Sequence, residues 1–332
     1  MASHRATRRR RPVWAAIVAT SGTLVALATV LAIVASSFIG GLARSFDAQS
    51  DTIVEAFPSG KRPAVTEDAQ NILLIGSDSR SSSAELSDST AGGRSDTLML
   101  AHLPADRKTV YLMSIMRDSW VAIPGHGEAK INAAYSWGGV SLTVQTVEQL
   151  LDVRIDHVAE IDFAGFKGMT EALGGVTVQS PKEFTSQGQH FSAGANRLQG
   201  QAALAFVRAR SPFADADHTR VRNQQAFMRG LLEGVLSRGT ITSPRRIQDF
   251  VSATSAHLSV DRELTFRAIV ALGWSLRHVR ADDLTTFTVP TAGGGVSADG
   301  QSYVDLNDLE VEGLSSALRS DDIETWLAKS SM

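Results

Sequence analysis

A chain of 332 residues, 43% hydrophobic and 20% charged, can bury a sizeable core, which excludes a wholly disordered or fibrous protein. The absence of cysteine excludes disulfides, thiolate zinc sites, iron–sulfur clusters and cysteine nucleophiles together. The net charge of −3 hides an asymmetry: Arg5, Arg8, Arg9, Arg10 and Arg11 give residues 1–12 a charge of +5, and the rest carries −8. An acidic body of this kind disfavours bulk attraction to nucleic acid.

The first element in chain order is a long apolar run. No side chain from Pro12 to Ala43 is ionisable, and Val13–Ile39 alone supplies 27 uncharged residues. A helix needs about 20 residues to cross the hydrocarbon core, so residues 13–39 are expected to span a membrane once. The arginine cluster precedes the run, and only Arg44 follows before Asp47 and Asp51. By the positive-inside rule the N-terminal tail, 1–12, is cytoplasmic and the rest of the chain external. A cleaved signal peptide is the competing reading, but its apolar region spans only about 7–15 residues. Pro58, Ser59, Gly60 and Pro63 then mark 40–67 as a tether, and 68–332 as the external domain.

Asn71–Gly76 is an unbroken apolar run of the kind a strand buried on both faces shows. It runs directly into Ser77-Asp78-Ser79-Arg80. A Ser-rich loop leads to Arg94-Ser95-Asp96-Thr97 and a second strand, Leu98–Leu103. A third, Val110–Met116, again ends in charge at Arg117-Asp118. Aspartate also caps turns readily, so each acid alone is ambiguous. Three apolar strands abutting such charges nevertheless predict a constellation at one sheet edge, where ligands commonly bind.

Leu142–Leu151 has helical spacing, Val158–Asp162 reads as a short strand, and Phe163–Leu173 as a helix closed by Gly174-Gly175. The expected fold class is therefore α/β, a central mixed sheet flanked by helices behind one spanning helix. Gln201–Ala205 has strong helix formers, and Phe206–Arg210 is expected to follow as an extended segment. On a strand Arg208 and Arg210 would project side by side. Asp217 suits the cap of a helix from about His218 to Leu236, where Arg220 and Gln224 share a face. A helix N-terminus with three arginines makes a cradle for anions, since guanidinium binds two phosphate oxygens at once. Surface salt bridges are the bland alternative for these arginines. The Asp78 and Asp96 carboxylates favour the sharper one: they suit a hard divalent cation such as Mg²⁺, which takes phosphates as its remaining ligands. Carboxylates, arginines and a nearby membrane together fit a diphosphate lipid.

The motifs Asn71–Arg80, Arg94–Thr97, Arg117-Asp118, Lys130–Tyr135, Ile155–His157, Leu173–Val176 and Val207–Arg210, followed by Asp217, Arg220 and Gln224, occur in an ordered series. This series resembles the LytR–CpsA–Psr family of cell-envelope phosphotransferases, over core motifs spanning 71–236 of an expected catalytic domain at 68–332. The resemblance implies transfer of a polyprenyl-diphosphate-linked glycopolymer, of teichoic acid, arabinogalactan or capsule type, onto peptidoglycan through a phosphodiester. It implies Asp78 and Asp96 at a Mg²⁺ site, with Mn²⁺ as the alternative metal. Arg94, Arg117, Arg208, Arg210, Arg220 and Gln224 would hold the diphosphate, and Asp217 would orient Arg220. Asp96, Arg117 and Arg210 are the expected catalytic residues, with Asp96 as base and Asp78 as its alternative. Two positions depart from the family pattern: Met116 stands for the usual proline and Asn223 for an arginine.

The expected partners are thus the lipid-linked glycopolymer, the peptidoglycan acceptor and membrane lipid, with no nucleic acid. Two rival functions remain open at this point: a polyprenyl-diphosphate pyrophosphatase, and a non-catalytic lipid-binding or regulatory envelope protein. Leu112, Phe163, Phe166, Leu231 and Leu232 are candidates for a lipid slot, though plain core residues look the same. Gly293-Gly294-Gly295 reads as a flexible loop, and His157 as structural. Amphipathic helices are expected at Ile247–Leu258, Leu264–Leu276 and Leu306–Leu318.

Overall fold

The computed structural model of the protein describes residues 36–66, 68–78, 95–210 and 216–330. Residues 13–35 of the expected spanning segment lie outside the described residues, as do Arg80, Arg94 and the Ser-rich loop. Among the described residues no helix is long and apolar enough to cross a membrane. The first described element is helix α1 (36–49).

Residues from Phe46 onward form one unit built on a seven-stranded sheet. Its strands are β1 (Asp51–Ile53), β2 (Gln70–Ser77), β3 (Ser95–Leu103), β4 (Val110–Ile115), β7 (His157–Asp162), β12 (Leu258–Asp261) and β13 (Leu284–Thr288). The spatial order is β1-β12-β7-β2-β3-β4-β13. It is a mixed sheet: β2 is antiparallel to β3 and parallel to β7, β3 is antiparallel to β4, and β4 is parallel to β13.

The unbroken apolar runs have the cause read from the sequence, because both faces of the central strands are covered. Leu73 and Ile75 of β2, with Leu98 and Leu100 of β3, pack into one core. That core is completed by α2 (Asn132–Leu151), α9 (Asp308–Arg319) and α10 (Ile323–Ser330). The alternate residues, Ile72, Leu74, Met99 and Ala101, face the other way onto Met228 and Leu232 of α5 (Ala216–Leu236). A second apolar cluster unites α3 (Phe163–Ala172), α4 (Gly200–Val207) and α5 with β8 (Val176–Ser180), β9 (Phe184–Ser186), β10 (Gln189–Phe191) and β11 (Gly194–Leu198). The short α6 (Arg238–Ile241), α7 (Pro244–Ser255) and α8 (Phe266–Ser275) follow.

Outside the main sheet β9 pairs with β10 and β8 with β11, and two further hairpins are formed by β5 (Trp120–Ile123) with β6 (Gly127–Lys130), then by β14 (Thr291–Val296) with β15 (Ser302–Leu306). The second of these corrects the flexible loop expected at Gly293–Gly295. These glycines are strand residues, and a Cβ on Gly295 would meet the Tyr303 ring at 2.5 Å, so glycine admits the ring. Part of the expected tether is likewise built in, since β1 pairs with β12 and Ala56 is buried in the core.

The extended segment expected at Phe206–Arg210 is not a strand. Helix α4 runs through Val207, and Arg208 caps it in αR geometry (φ −99°, ψ −3°). Burial explains the difference: Phe206 and Val207 pack inward on the helix among Phe184, Phe191 and Phe227, which overrides their strand propensity. Helix α7 also ends at Ser255 rather than Leu258, because Leu258 opens β12.

Candidate functional site

Antiparallel pairing brings the end of β2, the start of β3 and the end of β4 to one edge of the sheet. Asp96 and Arg117 stand there, with exposed Asp78 directly beyond β2. On the covering layer, Arg208 and Arg210 follow α4, while Asp217, Arg220 and Gln224 lie in the first turns of α5. The segments meet in a chain of ion pairs. Arg208 reaches Asp96 Oδ2 at 3.2 Å and Arg117 reaches Asp96 Oδ1 at 2.6 Å. Arg117 Nε then lies 3.5 Å from Asp118 Oδ2, and Lys130 3.5 Å from Asp118 Oδ1. Arg210 bridges Asp118 at 3.2 Å and Asp217 at 2.7 Å, and Asp217 holds Arg220 at 3.2 Å.

Arg208 and Arg210 therefore join one site by way of different carboxylates, not as neighbours on a strand. Asp217 is one residue inside α5 and spends its carboxylate on two arginines instead of capping the helix. Gln224 donates to Thr97 Oγ1 at 2.9 Å, tying α5 to β3. Asn223 donates to the Phe206 carbonyl at 3.2 Å and is buried, so its role is to join α5 to α4. Arg94, expected to share the cradle, lies outside the described residues.

Two participants were quoted in the sequence motifs without a role. Asp118 is the hub of three cations, and Lys130 reaches it from β6. Only the adjacency of Asp118 to Arg117 hinted at the first; the cross-strand approach of Lys130 has no local signal. Phe163, at the start of α3, lies under Arg208 with its ring centroid 4.5 Å from the guanidinium carbon.

Five cations thus face three carboxylates, a local excess of positive charge. Burial is the largest influence on Arg220 and, with Arg210 and Arg117 nearby, outweighs Asp217 to bring its pKa down to about 10. Burial pushes the Asp118 carboxyl upward, but the hydrogen bond with Asp217 and the charges of Arg117, Lys130 and Arg210 hold it below the usual range. Among the described residues the buried Nε atoms of Arg117, Arg210 and Arg220 make no hydrogen bond, Arg117 having only its longer ion contact with Asp118. Buried donors are normally satisfied, so three orphans in one cationic cluster mark a place for an anion's oxygens.

Beside the Asp96–Arg208 end opens a cavity of about 220 Å³. Its walls are apolar, formed by Leu74, Met99, Phe163, Phe166, Met169 and Leu231, with Asp96, Arg208 and Gln224 at its polar rim. Of the expected lipid-slot residues, Phe163, Phe166 and Leu231 line it. Leu112 and Leu232 instead pack with Met99 and Leu284 against the sheet.

Among the described residues no group of three or more His, Asp or Glu side chains is arranged to hold a metal. Fewer suffice for Mg²⁺, which keeps waters and uses substrate phosphates. Asp96 fits such a ligand in chemistry, although both its oxygens are engaged by arginines. His157 is structural as expected, linking β7 to Asp261 of β12 at 3.2 Å.

Mixed α/β architecture, a cationic strand-end cluster and an adjoining apolar cavity thus come together at one end of the sheet. The chain belongs to the LytR_cpsA_psr family, whose model matches residues 43–320. It is 32% identical over 232 residues to the polyisoprenyl-teichoic acid–peptidoglycan teichoic acid transferase TagU of Enterococcus faecalis, covering 69% of this chain and 73% of that protein. The TagU of Bacillus cereus is 39% identical over 173 residues, 52% of this chain and 54% of that protein. The chain therefore spans about half the length of that relative. Among solved structures, B. subtilis TagV superimposes with a TM-score of 0.66 at 26% identity, covering 77% of this chain and 97% of that one.

Proposed function

We propose that the protein is a phosphotransferase that moves a polyprenyl-diphosphate-linked glycopolymer onto peptidoglycan. The observation that carries this reading is an apolar cavity ending at Asp96 and Arg208, which ion pairs join to a cluster where the Nε atoms of Arg117, Arg210 and Arg220 make no hydrogen bond among the described residues. The polyprenyl chain enters the cavity and the diphosphate lies across Arg208, Arg117, Arg210 and Arg220. Arginine suits this task because its planar fork binds two phosphate oxygens and stays charged when buried.

Diphosphate binding draws Arg117 and Arg208 from Asp96 and frees that carboxylate. An acceptor hydroxyl then attacks the phosphorus that carries the glycopolymer. The new P–O bond forms as the bond to the lipid phosphate breaks, polyprenyl phosphate leaves, and Asp96 takes the hydroxyl proton, with Asp78 as the alternative base. Positioning and charge neutralisation carry most of the catalysis in such transfers. Asp96 and Asp78 would hold Mg²⁺ or Mn²⁺, and the metal would neutralise further charge on the diphosphate.

The same site would serve hydrolysis if water replaced the sugar hydroxyl, a pyrophosphatase side activity. The glycopolymer class (teichoic acid, arabinogalactan or capsule) belongs to this proposal, as do membrane anchoring through residues 13–39 and an external catalytic domain. The uncharged run behind five arginines supports that topology.

The test is transfer by the full chain from a defined polyprenyl-diphosphate glycan to peptidoglycan. Arg210→Ala is expected to lower turnover by about 10²–10³-fold, the usual effect of removing one donor to developing charge. Wild-type turnover in that variant would sink the assignment.

A further inference from the structure

On the far side of the ion-pair chain lies a second opening, a groove of about 460 Å³ that the donor reading leaves unused. Three elements build it: the β5–β6 hairpin, the start of α2 and the turn between β14 and β15. Trp120, Lys130, Asn132, Trp137, Asp299 and Gln301 are among the residues that line it. Trp120 and Lys130 are direct cross-strand partners, and Lys130 reaches Asp118, so the groove opens from the reaction centre itself.

Its walls combine flat aromatic faces with fixed polar groups. The Trp120 ring lies 4.6 Å at 31° from that of Tyr303, which itself occupies the space left by Gly295. His126 stacks on Trp137 at 4.8 Å and 26°, yet Trp137 remains 49% exposed. A kink follows immediately, with Gly138 and Gly139 outside helical geometry, and detaches the Trp137 turn from the body of α2. The polar side is ordered too: Asp299 accepts from Ser297 and Gln301, and the turn closes through Gly300 N to Ser297 O at 2.9 Å. Aromatic faces bounded by oriented amide, carboxylate and ammonium groups are what a sugar ring needs. Its C–H face packs on the ring, and its hydroxyls and amides bond to the rim.

We propose that this groove binds the acceptor glycan strand of peptidoglycan and delivers its hydroxyl to the diphosphate. The proposal rests on the phosphotransferase reading above. Two observations assign the groove to acceptor over donor. The contact order runs from cavity to groove through Arg208, Asp96, Arg117, Asp118 and Lys130, so lipid and groove lie at opposite ends of the cluster. In phosphoryl transfer the attacking and leaving oxygens are roughly in line across the phosphorus, which puts the acceptor opposite the departing lipid phosphate. Charge agrees. Glu128 and Asp299 flank the groove, and Lys130 is already paired to Asp118, so a phosphate-rich glycopolymer of teichoic acid type is repelled where a strand bearing few phosphates is not.

The experiment uses the full chain, soluble glycan strands from uncross-linked peptidoglycan, the lipid-linked donor, and the glycopolymer freed from its lipid. Calorimetric titration with strands alone is expected to show binding that weakens about tenfold in Trp137→Ala and recovers in Trp137→Phe, the scale of one aromatic contact. Donor affinity stays at the wild-type value in both variants, and KM for the acceptor rises in Trp137→Ala with kcat held. Strands that bind Trp137→Ala as tightly as wild type, or fail to bind wild type, overturn the proposal. Competition between strand and freed glycopolymer also overturns it, by giving the groove to the donor. Failure of wild type to bind donor at all would instead strike the phosphotransferase reading, leaving strand binding to judge the groove.

Discussion

Arg220 is held at a cost that folding alone does not explain. Its side chain is buried, its Nε makes no hydrogen bond among the described residues, and burial lowers its pKa to about 10. A buried donor without a partner destabilises by about 1–3 kcal/mol, and such strain is retained where a ligand uses it. Asp217 does not depend on Arg220, since Arg210 lies closer to it, at 2.7 Å. Arg220→Met is therefore expected to leave the melting temperature unchanged or raise it, while transfer falls about 10²-fold. A melting temperature several degrees lower, by calorimetry, would mean that Arg220 serves the fold. At this scale the sequence was informative about chemistry and poor about partners. Asp96 and Arg117 were legible as charges abutting apolar strands, and Arg208, Arg210 and Arg220 as arginines clustered about a helix start, although the strand expected to align the first two is a helix end. Asp118 was not, because being the hub of three cations depends on approaches from β6 and the segment after α4 that are remote in sequence.

Elements that carry the central core were legible for a similar reason. β2, β3 and β4 show long apolar runs bounded by charge, and their boundaries match the sequence reading within a few residues. The outer strands were less visible. β12 and β13 are only four and five residues long, with two or three polar residues each, and no local feature says which sheet they join. At β7 and β12 one side-chain pair holds such a short strand in the sheet. The hydrogen bond to Asp261 raises the His157 pKa despite the opposing effect of burial. Burial would raise that of Asp261, but His157 and the backbone N–H groups of Val158 and Glu263 hold it low. With the histidine raised from its ordinary 6.5, its share of stability is fully present below that pH and is lost as pH rises through the folded value. With Asp261 lowered from 3.8, its share is present above that pH and lost as pH falls through the folded value. Both act together between those limits. His157→Asn is expected to cost about 1.5–3 kcal/mol near pH 6, the scale of a hydrogen bond to a charged group, and progressively less toward pH 9. Denaturant melts at the two pH values check this; an equal loss at both would remove the ionic component.

Across the whole molecule, the two faces of the sheet are put to unequal use. The face under α2, α9 and α10 is filled, with Leu73, Leu100, Val144, Val147 and Leu314 all inaccessible to solvent. The face toward α3 and α5 keeps a void of about 220 Å³ ending at Asp96 and Arg208. Cores are ordinarily packed without gaps larger than a water molecule, so an apolar void of that size beside a charged cluster suits a chain-like apolar ligand. A substitution that fills the void should therefore separate folding from lipid recognition. Ala159 of β7 lines the cavity, opposite Leu74 in the register of β2, and phenylalanine is well suited to a strand. Ala159→Phe occupies space that has no protein tenant, so stability is expected to hold or rise by up to about 1–2 kcal/mol. For donors with long polyprenyl chains KM should rise about tenfold or more, the equivalent of removing two buried methylenes. Donors with one or two prenyl units should be used as well as by wild type. Comparing KM across a chain-length series decides the point, and an unchanged length preference would place the lipid elsewhere on the protein.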